Sequence, residues 1–115
     1  MKQLTQYKTA LDRIQPGYFA DQIPESQDRW LQQRRVCLER YSEMVVQDAM
    51  EKQMHAEADR LVERARETGD TDVLHKMHMA KANTLRAQAQ ISRERKKQAE
   101  MELTAWLERM NLWPL

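Results

Sequence analysis

The sequence predicts an all-α protein: a long antiparallel helical hairpin, coiled-coil-like, with a short N-terminal helix packed on its open end. Three observations carry this. Glu, Gln, Arg, Lys, Ala, Leu and Met dominate the chain, and all are good helix formers. Aromatic residues make up only 6% and β-branched residues are few, which disfavours a sheet. The 2 Gly and 3 Pro sit between or beyond the apolar helical patterns, never inside them. At 115 residues the chain is read as a single helical domain, 1–115.

The first helix is expected over about 2–15. Leu4, Tyr7, Leu11 and Ile14 step by three and four residues and share one face. A helix this short is marginal alone, so it must dock. Pro16 and Gly17 end it. The linker, 16–24, carries Tyr18, Phe19 and Ile23, enough apolar surface to pin it to the long helices.

The second helix is expected over about 25–67, with Ser26 as N-cap and Asp28 near the positive end of the dipole. Trp30, Leu31, Cys37, Leu38, Tyr41, Met44 and Val45 form a stripe wide enough for two neighbours. The stripe weakens between Gln47 and Gln53 and resumes as Met54, Ala58, Leu61, Val62 and Ala65.

The turn is placed at 68–70. Gly69 suits a left-handed residue just past a helix end. Asp70 and Thr71 can accept bonds from the first amides of the next helix, and Asp72 complements its dipole.

The third helix is expected over about 71–112. Its first third carries Val73, Leu74, Met77, Ala80, Leu85, Ala87, Ala89 and Ile91, mostly small residues. A wholly polar run, Ser92 to Gln98, precedes the cleanest stripe, Ala99, Leu103, Trp106, Met110 and Trp113. Folding at Gly69 puts Tyr41 near Gln98 and Leu61 near His78. Bulky apolar residues then gather at the open end, where the first helix completes a three-helix bundle. The turn end is a two-helix arm with a weak core, and a second copy in a homodimer could supply the missing surface.

Composition narrows function. With 32% charged residues and a mean hydropathy of -0.90, surface outweighs core and a large buried active-site cavity is disfavoured. No catalytic residue, nucleotide loop or cofactor motif stands out, so the expectation is a non-enzyme. The net charge of +1 gives no global bias toward nucleic acid. The lone Cys37 excludes an internal disulfide, fits a reducing compartment, and sits on the apolar stripe as a structural residue. No apolar leader follows Met1, and no run reaches the roughly 20 apolar residues that span a bilayer. The expectation is a cytoplasmic protein with no membrane partner.

Four constellations remain. His75 and His78 are one helical turn apart and are weak metal candidates, with Met77 and Met79 as soft assistants. His55 has Asp48, Glu51 and Asp59 nearby, with no concave site around them. Arg34, Arg35, Arg40, Arg86, Arg93, Arg95, Lys96 and Lys97 can form a basic band that neutralises phosphates, although acidic residues are interleaved. Met77, Met79, Trp106, Met110, Leu112 and Trp113 are of the residue types that anchor protein interfaces. The leading expectation is an adaptor, chaperone, loader or inhibitor that binds a larger protein machine by helix packing. The outline is similar to export escort proteins, secretion-system stalks and small bacterial or phage accessory proteins, in shape only. A nucleic-acid accessory protein using the basic band is the alternative.

Overall fold

The computed structural model describes the backbone of residues 2–13, 24–69, 73–110 and 112–113, and the side chains of 4–13, 31–69, 73–110, 112 and 113. Ile14, the linker residues Tyr18, Phe19 and Ile23, the residues Asp70, Thr71 and Asp72, and the side chains of Ser26, Asp28 and Trp30 lie outside that set; Ser26, expected as the N-cap, stands inside α2, whose backbone is already helical at Pro24. Three helices are present, α1 (Lys2–Asp12), α2 (Pro24–Thr68) and α3 (Val73–Arg109), with no strand among the described residues. The two long helices pack against each other as a hairpin, and α1 contacts α2.

The reversal is built from backbone chemistry. Gly69 has φ 81°, the left-handed conformation that side chains with a Cβ rarely adopt. A Cβ there would meet nothing within 4 Å, so conformation rather than space selects glycine. The last carbonyls of α2 have no partner inside the helix. The Ala65 carbonyl finds two. It accepts Thr68 Oγ1 at 3.0 Å and lies 2.7 Å from His75 Nδ1, which donates as its N–H tautomer. His75 thereby ties the first turn of α3 to the last turn of α2.

The chain forms two compact units, Met1–Val45 with Lys97–Leu115, and Val46–Lys96. The first holds a core of large side chains. Leu4, Tyr7 and Leu11 of α1 meet Cys37 and Met44 of α2 and Leu103 and Leu107 of α3. Tyr7 anchors the short helix. Its ring stacks on Trp113 at 4.4 Å between centroids and 10° between planes. Its hydroxyl donates to Glu100 Oε1 at 3.3 Å and lies 2.7 Å from Thr104 Oγ1, which then donates to it.

Leu112 is buried in the same core, although it lies near the chain end. Its N–H bonds back to the Leu107 carbonyl at 2.9 Å, and Met110 N–H to the Trp106 carbonyl at 3.2 Å. The first is the six-to-one bond of a Schellman helix end, which carries an apolar contact between the same two positions. Leu107 and Leu112 supply that contact. This bond closes α3 at Arg109, a few residues before the expected end.

The second unit is held by smaller residues. Ala58, Leu61 and Ala82 form its cluster, with Val62 and Leu85 packed against them, and Ala65, Ala89 and Ser92 are also buried. The pairing is displaced from a symmetric fold at Gly69. Leu61 clusters with Ala82 and Leu85, about one turn beyond the expected His78. The α2 helix ends at Thr68 and α3 begins at Val73, two residues later than expected.

Two stability predictions follow from these contacts. Leu103→Ala empties a fully buried site and costs about 2–5 kcal/mol, read as a lower urea midpoint. Gly69→Ala costs about 1 kcal/mol through backbone strain alone, and Gly69→Asn less, because Asn tolerates the left-handed region. An Asn variant weaker than the Ala variant would contradict the capping account.

Candidate interaction surface

The structure places the residues singled out above, and His55 is exposed on α2. Of the apolar anchors, Leu112 is core, Trp113 is half-buried against Tyr7, and Trp106 and Met110 pack on the same core. Trp106 also carries the Arg109 guanidinium over its ring, 5.2 Å from the centroid. Met79 is half-buried, whereas Met77 is exposed.

The basic candidates separate into paired and exposed groups. Arg40 Nε lies 2.6 Å from Glu102 Oε2, and Arg86 Nη2 is 3.7 Å from Asp59 Oδ1. Lys96 turns inward. Its Nζ donates to Asp48 Oδ1 at 3.1 Å and Glu51 Oε2 at 2.9 Å. Arg34 is half-buried, and its Nε is buried without a hydrogen-bond partner. Arg35, Arg93, Arg95 and Lys97 are exposed. Three of the eight cations are therefore neutralised across the helix pair, which weakens the field a phosphate backbone would meet.

Sequence reading missed the Asp48–Glu51–Lys96 cluster, in the second unit. Asp48 is buried, and its carboxylate also holds Lys52 Nζ at 3.0 Å. Burial pushes the Asp48 carboxyl up, but hydrogen bonds and charge from Lys52 and Lys96 outweigh it and hold the pKa below the ordinary 3.8. The hydrogen bond to Glu51 leads the forces that raise Lys96 above 10.5, against the opposing effect of burial. The available signal was the weakened apolar stripe between Gln47 and Gln53 facing the polar run of α3: two interruptions that meet.

The metal and thiol candidates are equally placed. His75 Nδ1 is engaged by the α2 end, and His78 is half-buried. Among the described residues no group of three or more His, Cys, Asp and Glu could hold a metal ion. Cys37 is fully buried, and desolvation raises its thiol to about 11, so it stays protonated at neutral pH. No helix among the described residues is long and apolar enough to cross a membrane.

Several large apolar side chains also face outward. Leu31, Leu38 and Val45 line α2 at seven-residue spacing in the first unit and are exposed. An open groove of about 430 Å3 along α3 is lined by Lys97, Glu100, Met101, Thr104, Ala105 and Glu108. In the second unit Val73, Leu74, Met77 and Ile91 are exposed on α3. The fold is that of a helical hairpin whose long helices carry apolar residues on more than one face. No family model, curated protein or solved structure matches the chain.

The charged cluster gives a pH signature. Asp48 is stabilising above its unfolded value near 3.8, and that contribution is lost as pH falls through the lower folded value. Lys96 is stabilising below about 10.5 and loses this as pH rises through its higher folded value. Urea midpoints should stay level between these limits and fall beyond both, with a shallower acid limb in Asp48→Asn. Lys96→Met, which leaves Asp48 and Glu51 short of a partner, should cost about 1–3 kcal/mol at neutral pH.

Proposed function

We propose that this chain is a non-enzymatic protein-interaction module. It binds a larger protein by helix packing and acts as an adaptor, chaperone, loader or inhibitor, in the manner of a bacterial or phage accessory protein working in the cytoplasm. One observation carries the reading. Ten large apolar side chains among the described residues stay exposed, and most fall at helical spacing on α2 and α3. Scattered exposed apolar residues are ordinary, but apolar residues in helical register are the pattern that partner helices recognise. Hairpin geometry explains why they are left over: each long helix covers one stripe of the other and no more.

Nucleic acid binding through the basic band draws less support, because Arg40, Arg86 and Lys96 are paired with acids of the hairpin. Self-association through the same apolar stripes is the other outcome a measurement must separate.

The test is capture from source lysate by the tagged full-length chain, after nuclease treatment and in about 0.5 M salt, where surface charges are screened, with light scattering on the pure protein. The expected outcome is a stoichiometric protein retained under both conditions and lost for a Leu38→Glu, Met77→Glu double variant of unchanged helicity. Recovery that requires intact nucleic acid transfers the function to the basic band. A stable dimer that captures nothing assigns the stripes to self-association.

A further inference from the structure

The outward face of α3 in the second unit carries a complete second seam. Val73, Met77, Ala80, Thr84, Ala87 and Ile91 follow one another at intervals of four, three, four, three and four residues. That alternation is the spacing of coiled-coil core positions. All six are exposed, Val73 by 70%, Met77 by 60% and Ile91 by 49%. The seam lies on the side of α3 away from Ala82, Ala89 and Ser92, which are buried. At 1.5 Å per residue it runs about 27 Å, the length of a five-turn helix.

Its chemistry is specific. The one polar member, Thr84, turns its hydroxyl back to the Ala80 carbonyl at 3.1 Å, which leaves its methyl as the free part of the side chain. The middle of the seam is therefore small and apolar, Ala80, Thr84 and Ala87, between the larger Val73, Met77 and Ile91. Small residues let a second helix approach closely. The flanks are basic or neutral: Lys76, Asn83 and Gln90 on one side, Lys81, Gln88 and Arg95 on the other, all exposed. From Val73 to Arg93 the chain has no Asp or Glu.

We propose that this seam docks an amphipathic helix of a protein partner whose apolar stripe is bordered by Glu or Asp. The proposal rests on the protein-interaction reading and names the surface and the partner's chemistry. Charge complementarity selects this occupant. A second copy would set basic and neutral flanks against the same flanks, and between Val73 and Arg93 it has no acid to meet Lys76 or Lys81. An anionic membrane would favour large apolar and aromatic side chains, and the centre of this stripe is alanine-sized.

The test uses the full-length chain and two labelled synthetic helical peptides with the same Leu/Ala heptad stripe, one with Glu and one with Lys at the flanking positions. Anionic phosphatidylserine vesicles are a third arm. Fluorescence anisotropy should show binding of the Glu peptide, weakened about tenfold or more by Ala87→Glu, a solvent-facing change that leaves helicity intact. Lys76→Glu with Lys81→Glu should shift preference to the Lys peptide. Equal binding of both peptides, binding of neither, or binding of vesicles in place of the Glu peptide overturns the proposal. Lysate capture separates the two levels: a partner still retained by Ala87→Glu refutes this seam and keeps the interaction module, whereas no partner for the unaltered chain refutes both.

Discussion

The shared seam between α2 and α3 is the constraint from which the rest follows. Two helices in a hairpin can cover only one stripe of each other. Residues that alternate by three and four along that stripe become interior, and every other apolar residue needs another neighbour or meets water. In the first unit α1 supplies that neighbour for part of the surface, because Leu4, Tyr7 and Leu11 join Cys37, Leu103 and Leu107 in one core. In the second unit the apolar interior is mostly alanine, with Leu61 as the one large apolar side chain buried among the described residues. Alanine lets backbones approach but removes little apolar area from water.

Such a small interior leaves room for specificity to come from polar groups. Sliding one helix by a turn against an alanine seam changes little hydrophobic contact. The Asp48–Glu51–Lys96 cluster does not slide. Lys96 Nζ satisfies two carboxylates of α2 at 3.1 and 2.9 Å, and a displaced register would leave buried charges without partners. The bond between His75 and the Ala65 carbonyl fixes the same register from the turn. These contacts cost desolvation, and their value lies in what they exclude.

How much of this was legible varied with the physics. Helix type, the hairpin and the left-handed Gly69 follow from local composition and from backbone sterics, which a sequence carries directly. The docking face of α1 followed from periodicity, and Leu4, Tyr7 and Leu11 are buried as it implied. Lys96 was not legible. It sits in a run of cations, Arg95, Lys96 and Lys97, and only the phase of the helix sends one of the three inward. Leu112 was not legible either: residue type makes it an interface candidate, but it is buried in the core, with its N–H bonded to the Leu107 carbonyl. Register was not legible either, because a sequence does not show which residues of α3 stand opposite Leu61; they are Ala82 and Leu85.

The outer seam of α3 was hidden by alanine itself. Ala82 and Ala89 are buried while Ala80 and Ala87 are exposed, and in sequence the four read as one run of small residues. Alanine is compatible with either face, so its spacing marks a seam only after the interior has been located. Once Ala82, Ala89 and Ser92 are assigned inward, the remaining small residues must face outward, in phase with Val73, Met77 and Ile91. The hairpin is then held by one stripe of α3 while a second stripe, with its own spacing and basic borders, takes no part in holding it. Substitutions on the outer stripe can change recognition without unfolding the chain, because the two stripes share a helix but share no side chain.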